Sequence, residues 1–365
     1  MRRAYLVWAL LLLCYPLSAQ DRAELNGTVT DATRSVVMGA TVALQSPDTG
    51  LRRETLTNGA GIYEITSLPV GSYILTIKKP GFKLFETRRI DLLFGQTRTI
   101  DARLDVGNVA DTVEVTATAD PVNRSNAEIG GVVEAPQIRE IPLDGRNWAT
   151  LMTLVPGAVN TGDGGQRSIN FNGHSLDDSN FMFDGIDTSG VQEQTQKADT
   201  RLNVSLDSIQ EFRVSSAVYT AEAGSAGGAQ INVVSKTGTN SYHGSVFEYL
   251  RNNALDSRSP FDPTDIPPFR LNQFGGQFGG AIIKNKAFFF ANYEGLRQEL
   301  TNTMIGFVPN AAFRSQVTAV SPVLAPIINA YPKGQTPVDE NTDQVTVGAR
   351  NTTREDSGMF RFDYR

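Results

Sequence analysis

The sequence predicts a mainly β protein, on two observations. Short apolar runs alternate with turn residues along a chain of 365 residues that contains 33 Gly and 19 Phe, and such punctuated runs are typical of antiparallel strands. No apolar run of about 18 residues follows residue 20, so no transmembrane helix is predicted. We expect an N-terminal Ig-like or prealbumin-like β-sandwich, a mixed α+β region and then the first strands of an incomplete transmembrane β-barrel.

The charge balance argues against a nucleic-acid partner. The chain carries 33 Lys and Arg against 39 Asp and Glu, which gives a net charge of −6, and it has no basic run. Segments that bind nucleic acids usually cluster Lys and Arg. We therefore expect no nucleic-acid partner.

The N-terminus has the parts of a secretory signal. Two arginines precede an apolar run over residues 4–13, and Leu17-Ser-Ala19 offers the small residues that precede a cleaved bond. We predict a signal peptide over residues 1–19, cleaved between Ala19 and Gln20. The only cysteine of the chain lies inside this segment, so the exported chain should contain no disulfide.

Residues 20–106 are predicted to form a small sandwich. In Thr41–Gln45 and in Ser72–Lys78 the apolar residues fall on alternate positions, which places them on one face of a strand. Gly and Pro turns separate these runs at close spacing. A region of this size can fold around a single core.

Five segments of this region resemble the carboxypeptidase regulatory-like domain: Gly27–Asp31, Gly39–Val42, Thr57–Tyr63, Leu68–Tyr73 and Pro80–Phe82. The resemblance implies a fold found beside peptidases, not a peptidase. A zinc carboxypeptidase needs two His and a Glu around its metal, whereas this chain has only His174 and His243, without a paired ligand at useful spacing. We expect no enzyme, and a spacer role for the sandwich; glycan or peptide binding is the alternative.

Residues 120–238 mix helix and strand patterns. A short helix should end before Pro142, and a second should span Trp148–Leu154. The run Asn180–Asp187 is strand-like and closes on an Asp-Gly turn, and Ile209–Val214 is a further strand.

Residues 239–365 carry the alternation of membrane β-strands. In Phe360-Arg-Phe-Asp-Tyr364 apolar and charged residues alternate strictly, which is the pattern of an apolar face toward lipid and a wet interior. We predict a short periplasmic turn at residues 284–286 and a long outer loop over residues 298–356.

Five segments in this order resemble the junction between the plug and the barrel of TonB-dependent outer-membrane receptors, in the Oar-like subgroup: Ser205–Val214, Tyr219–Gly228, Val234–Asn252, Asn272–Gly280 and Lys286–Arg297. The resemblance implies transport across the outer membrane of a Gram-negative cell, with a plug domain over 120–238 and a barrel that starts at 239. It also implies partners: periplasmic TonB, outer-membrane lipid and, for a full-length protein, the barrel assembly machinery.

The linker at residues 107–119 contains a short β-prone run, Thr112-Val113-Glu114-Val115-Thr116-Ala117, flanked by polar residues. It resembles a TonB box, a segment that adds as a strand to an exposed sheet edge of TonB. An ordinary linker, or a last strand of the sandwich, is the alternative.

Two other site types are not supported by the pattern. Four aspartates between Asp177 and Asp187 lack the spacing of an EF-hand loop, and Gly224–Gly228 lacks the Lys-Ser/Thr ending of a phosphate loop. We expect neither a metal nor a cofactor.

The resemblance implies a barrel of about twenty-two strands, and only about four are present. We therefore expect a truncated product or a partial sequence that forms no pore alone. The rival hypothesis is a secreted or periplasmic sandwich module that binds glycans or peptides, followed by a degenerate receptor tail. The ligand of the receptor cannot be deduced from these residues.

Overall fold

A computed structural model describes most of the chain. The chain divides into two compact units. The first comprises Met1–Gly244, Gln277–Asn292 and Met359–Arg365. The second comprises Ser245–Gly276 and Tyr293–Gly358. The described residues are 23–107, 112–115, 128–162, 168–174, 178–188, 204–219, 227–257 and 266–365.

The N-terminal region is a two-sheet β-sandwich. Its strands are β1 (Ala23–Asp31), β2 (Thr41–Gln45), β3 (Arg52–Leu56), β4 (Ile62–Leu68), β5 (Gly71–Lys78), β6 (Leu84–Thr87), β7 (Ile90–Leu92), β8 (Thr97–Thr99) and β9 (Ala102–Leu104). One sheet has the order β4-β1-β8, with β9 also pairing with β1, and the other contains β6-β5-β2-β3, with β7 pairing with β5. The predicted sandwich fold is confirmed.

Alternation of side chains builds the sandwich core. Leu44 on β2 and Leu75 on β5 are opposite each other and fully buried, as the pattern of the sequence predicts. Tyr63 is also buried, and its hydroxyl donates to the carbonyl oxygen of Ile100 at 2.7 Å; burial raises the pKa of this phenol. Each large side chain that leaves water stabilises the fold by about 1.5–3 kcal/mol before entropy is counted.

The middle region has its own sheet and core. Its elements are β11 (Ile129–Glu134), α1 (Ala135–Glu140), a 3₁₀ helix (Trp148–Leu154), β12 (Ala158–Asn160), β13 (Ile169–Phe171), β14 (Asn180–Phe183), β15 (Ile186–Asp187), β16 (Ile209–Ala217) and β17 (Gln230–Ser235). The main sheet has the order β11-β16-β17-β14-β15, and β12 pairs with β13. Both predicted helices are present: α1 ends at Glu140, before Pro142, and the second is the 3₁₀ helix Trp148–Leu154.

Long strands form the C-terminal region. They are β18 (His243–Asn252), β19 (Phe269–Ile283), β20 (Ala287–Pro309), β21 (Thr336–Pro337) and β22 (Thr342–Tyr364), in the order β18-β19-β20-β22-β21, with α2 (Ala311–Val320) and α3 (Ala325–Ala330) between β20 and β21. Phe360, Phe362 and Tyr364 are exposed, as the alternation predicts for a lipid-facing row.

The expected loop over residues 298–356 is wrong in extent. β20 continues to Pro309 and β22 already begins at Thr342. The apolar alternation ends within these strands, but the backbone pairing continues without it, and ion pairs such as Arg297–Asp356 at 2.6 Å join the two strands.

Candidate coupling strand and its anchors

The predicted coupling segment contains a strand at the edge of the sandwich. β10 (Thr112–Val115) pairs with β6 in parallel, with Thr112 opposite Leu84 and Val115 opposite Thr87. It is the outermost strand of the order β10-β6-β5-β2-β3. At these four residues the alternative of a last sandwich strand therefore describes the backbone, and pairing with TonB stays a prediction.

The other predicted site residues lie elsewhere. Thr116 and Ala117, which complete the coupling segment, are outside the described residues. The same holds for Ala19 and Gln20, between which cleavage of the signal is predicted.

Gly107, the last residue described before β10, lies beside the sandwich. The backbone N–H of Lys83 donates to the carbonyl oxygen of Asp105 at 2.8 Å, and that of Gly107 donates to Gly81 at 3.2 Å. Because Lys83 directly precedes β6, the chain reaches Gly107 next to the edge on which β10 lies.

The first residue described after β10 is held by a buried ion pair. The guanidinium of Arg213, on β16, donates to both carboxylate oxygens of Glu128, at 2.7 and 3.2 Å, and the Ser215 hydroxyl donates to the same carboxylate. The two charged side chains are only 14% and 9% exposed. Paired, charge-assisted hydrogen bonds of this kind fix geometry as well as energy.

Two side chains of β16 also hold a loop of the sandwich. The backbone N–H of Phe94 donates to the Glu211 carboxylate, and the Arg213 guanidinium donates to the Phe94 carbonyl oxygen at 3.1 Å. Glu211 is buried. Both polar groups of one backbone residue are thus satisfied by opposite charges, which binds this loop to the middle sheet.

An aromatic cluster forms the core of the middle region. The ring of Trp148 meets Phe212 edge-on with centroids 5.4 Å apart, and meets Phe181 at 6.5 Å. All three rings are buried, and the residues of this core cluster lie between Val133 and Val233.

The middle sheet meets the end of β22 through polar groups. The Asp184 carboxylate accepts from the backbone N–H of Ser235 at 2.8 Å and from its hydroxyl at 2.6 Å, and Arg361 donates to the same hydroxyl at 2.8 Å. Thr237 donates to Asp363 at 2.8 Å. Hydrogen bonds and opposite charges thus join the end of β22 to the middle sheet.

A buried lysine follows the middle sheet. Lys236 is 9% exposed and donates to the side-chain oxygen of Gln277 at 3.1 Å. Burial lowers the pKa of its amine to about 8, against the opposing effect of the Asp207 carboxylate. The cation is therefore held at a cost, since a buried charge loses its hydration.

Within the described ranges, neither a membrane-spanning helix nor a metal-binding group is present. No helix there is both long and apolar enough to cross a membrane. In that same part of the chain no three His, Cys, Asp or Glu side chains form a group that could hold a metal ion.

The anchoring residues could not be identified from the sequence. Glu211 and Arg213 lie in the segment Ser205–Val214 that carries the family resemblance, so a signal marked the strand but not its partners. Glu128 is 85 residues away from Arg213, and Phe94 is 119 residues away; no local pattern connects positions so far apart.

The chain is similar to two known protein families and to a known transporter. Residues 234–365 match the outer membrane beta barrel domain, and residues 24–105 match the carboxypeptidase regulatory-like domain. The TonB-dependent transporter Oar of Myxococcus xanthus is 26% identical over an alignment of 309 positions, and the match covers 80% of this chain and 28% of Oar. The chain is a homologue of a TonB-dependent transporter. It spans well under half the length of this relative.

Solved structures give weaker likenesses. The siderophore receptor PirA from Acinetobacter baumannii is 17% identical, with 49% of this chain and 28% of that chain covered and a TM-score of 0.35. Hydroxyquinol 1,2-dioxygenase from Pseudomonas putida is 11% identical, with 25% and 58% covered and a TM-score of 0.21. Scores this low carry no conclusion about function.

Proposed function

We propose that this chain carries the coupling strand, the plug and the first barrel strands of a TonB-dependent outer-membrane receptor. The receptor imports an unidentified ligand with energy that periplasmic TonB transmits, and the barrel assembly machinery inserts it into the outer membrane. The layout is a signal peptide at 1–19, a sandwich at 20–106, a linker at 107–119, a plug at 120–238 and barrel strands from 239 onward.

The observation that carries this proposal is the extended backbone of Thr112–Val115, which in the chain follows the sandwich strands β1–β9 and precedes the middle region. Energy coupling by strand addition requires an extended segment that can pair with a sheet edge of TonB, because backbone N–H and C=O groups supply the affinity. Thr112–Val115, the described part of the segment that resembles a TonB box, is in this conformation. Its position before Glu128 would transmit a pull to the first strand of the plug.

The contacts of the middle region support a plug that can move. Its apolar core lies within the region itself, whereas its contacts with the end of β22 are hydrogen bonds and ion pairs of Asp184, Ser235 and Arg361. Water can replace such bonds at a small net cost, about 0.5–1.5 kcal/mol each. A plug attached in this way could be displaced without opening its own core.

Capture by the C-terminal domain of TonB tests the proposal. The chain from Gln20 should bind, and Val113→Pro with Val115→Pro should abolish binding, because proline removes backbone donors from the added strand. Val113→Ala with Val115→Ala is the matched control, which retains the donors and should retain most of the binding. Equal capture of the proline and alanine variants would refute coupling through this segment.

Cell fractionation tests the location. An antibody against residues 21–106 should detect a heat-modifiable band in the outer membrane. A soluble periplasmic band would instead favour the rival hypothesis of a binding module, which a glycan array on the same region could then examine.

A further inference from the structure

The strand on the sandwich edge is an addition to the domain that carries it. The match to the carboxypeptidase regulatory-like domain ends at residue 105, whereas β10 begins at Thr112. β10 is parallel to β6, while β6, β5, β2 and β3 pair with one another in antiparallel order. The edge of β6 thus accepts a strand from outside the matched domain.

We propose that the β6 edge is a binding site for an extended peptide, and that its ligand is the coupling segment of its own chain. The sandwich is then a module that withholds the segment from TonB, instead of a spacer. This inference rests on the proposed function, since it concerns the same segment.

Competition follows from the geometry of strand pairing. Along a strand, the N–H and C=O groups of successive residues point to opposite edges, so one edge of β10 is already engaged with β6. A free segment offers both edges to a partner, whereas the docked segment offers one. Withholding therefore requires that TonB pair with the edge of the segment that β6 occupies, and that edge is free only when β10 leaves β6.

The backbone that precedes the coupling segment lies close to the β6 edge. The hydrogen bonds of Asp105 with Lys83 and of Gly107 with Gly81 place the backbone next to the start of β6, and only residues 108–111 separate Gly107 from Thr112.

The pairing is also short enough to release. β10 has 4 residues, and its register places Glu114 opposite Glu86. The apparent affinity for TonB is then the intrinsic affinity reduced by the fraction of chains in which β10 is released.

A reversible lock tests the inference. In the chain from Gln20, which contains no native cysteine, Glu86→Cys with Glu114→Cys places two thiols at paired positions. Neighbouring strands are about 4.8 Å apart, within the Cα separation that a disulfide spans. Mass spectrometry should show the disulfide after mild oxidation, and its absence would refute the docking of β10 on β6.

Binding of the TonB C-terminal domain is then titrated against three samples: the oxidised variant, the same variant reduced, and a free peptide of residues 107–119. We expect the oxidised chain to bind at least about tenfold more weakly than the reduced chain, and the peptide to bind more tightly than wild type. Glu86→Ser with Glu114→Ser controls for the lost charges, and its affinity should not respond to oxidant.

The remaining outcomes separate the two proposals. If the oxidised and reduced chains bind equally while the peptide binds, withholding is refuted and coupling through the segment stands. If neither the chains nor the peptide bind TonB, the coupling role fails, and the withholding role fails with it.

Discussion

The ion pair between Glu128 and Arg213 permits a quantitative test, because its contribution to the stability of the proposed plug can be measured. Arg213→Met keeps most of the side-chain volume but removes both hydrogen bonds to Glu128, whose side chain is only 9% exposed. Breaking a buried pair by removal of one partner costs about 3–5 kcal/mol, because the other charge stays buried. Since Arg213 itself retains 14% exposure, we expect the lower end, about 3 kcal/mol.

The chain provides a local probe for this measurement. Its two tryptophans are Trp8, in the predicted signal, and Trp148, so in the chain from Gln20 the fluorescence reports on the core of the middle region alone. With a urea m-value of about 1.5 kcal/mol/M, a loss of about 3 kcal/mol lowers the midpoint of unfolding by about 2 M.

Two comparisons decide the interpretation. Arg52→Met, which removes an exposed ion pair with Glu54 in the sandwich, should leave the Trp148 transition unchanged, as exposed pairs contribute about 0–1 kcal/mol. In a cycle with Glu128→Gln, the double variant should lose less than the sum of the two single variants. A midpoint for Arg213→Met within about 0.3 M of wild type would refute the assigned role of the pair.

Two further outcomes follow from single residues. Gly27→Ala should lower the melting temperature of the sandwich by several degrees in circular dichroism, because a Cβ there would overlap the Ile100 carbonyl oxygen and overpacking costs about 1–3 kcal/mol; Gly59→Ala, with open space around it, is the control, and equal losses would contradict the packing. Lys236→Met should stabilise the chain at pH 7, where the folded state holds a buried cation, by an amount on the order of 3 kcal/mol. The pKa of this amine is about 8 folded and 10.5 unfolded, so wild type should gain stability as pH rises between these values and the advantage of the variant should shrink; the exposed Lys284→Met controls for charge, and a pH-independent advantage would contradict the reasoning.

Local patterns predicted local structure well. The Asp-Gly turn expected after Asn180 is present between β14 and β15, with positive φ at both Asp184 (48°) and Gly185 (80°), as a two-residue hairpin turn requires. Alternating residues such as Val42 and Leu44 are buried as predicted, because the face that a strand residue occupies depends only on its parity.

Long-range contacts and the pairing of edge strands could not be predicted from the sequence. The ends of β20 and β22 were missed because their outer parts lack the apolar alternation that lipid imposes, while backbone pairing needs no such pattern. The pairing of β10 with β6 was open for the same reason: an edge strand is fixed by the neighbour that it meets, and Thr112–Val115 is β-prone for any neighbour.

Only four residues, 108–111, connect Gly107 to the segment, and this short connection sets how tightly a competing partner must bind. A short tether holds its ligand at an effective concentration of about a millimolar. A partner that diffuses freely at about a micromolar must therefore bind the segment about a thousandfold more tightly than β6 does to occupy half of it, a difference of about 4 kcal/mol. At lower affinity, the partner would have to be concentrated near this particular chain before it could compete.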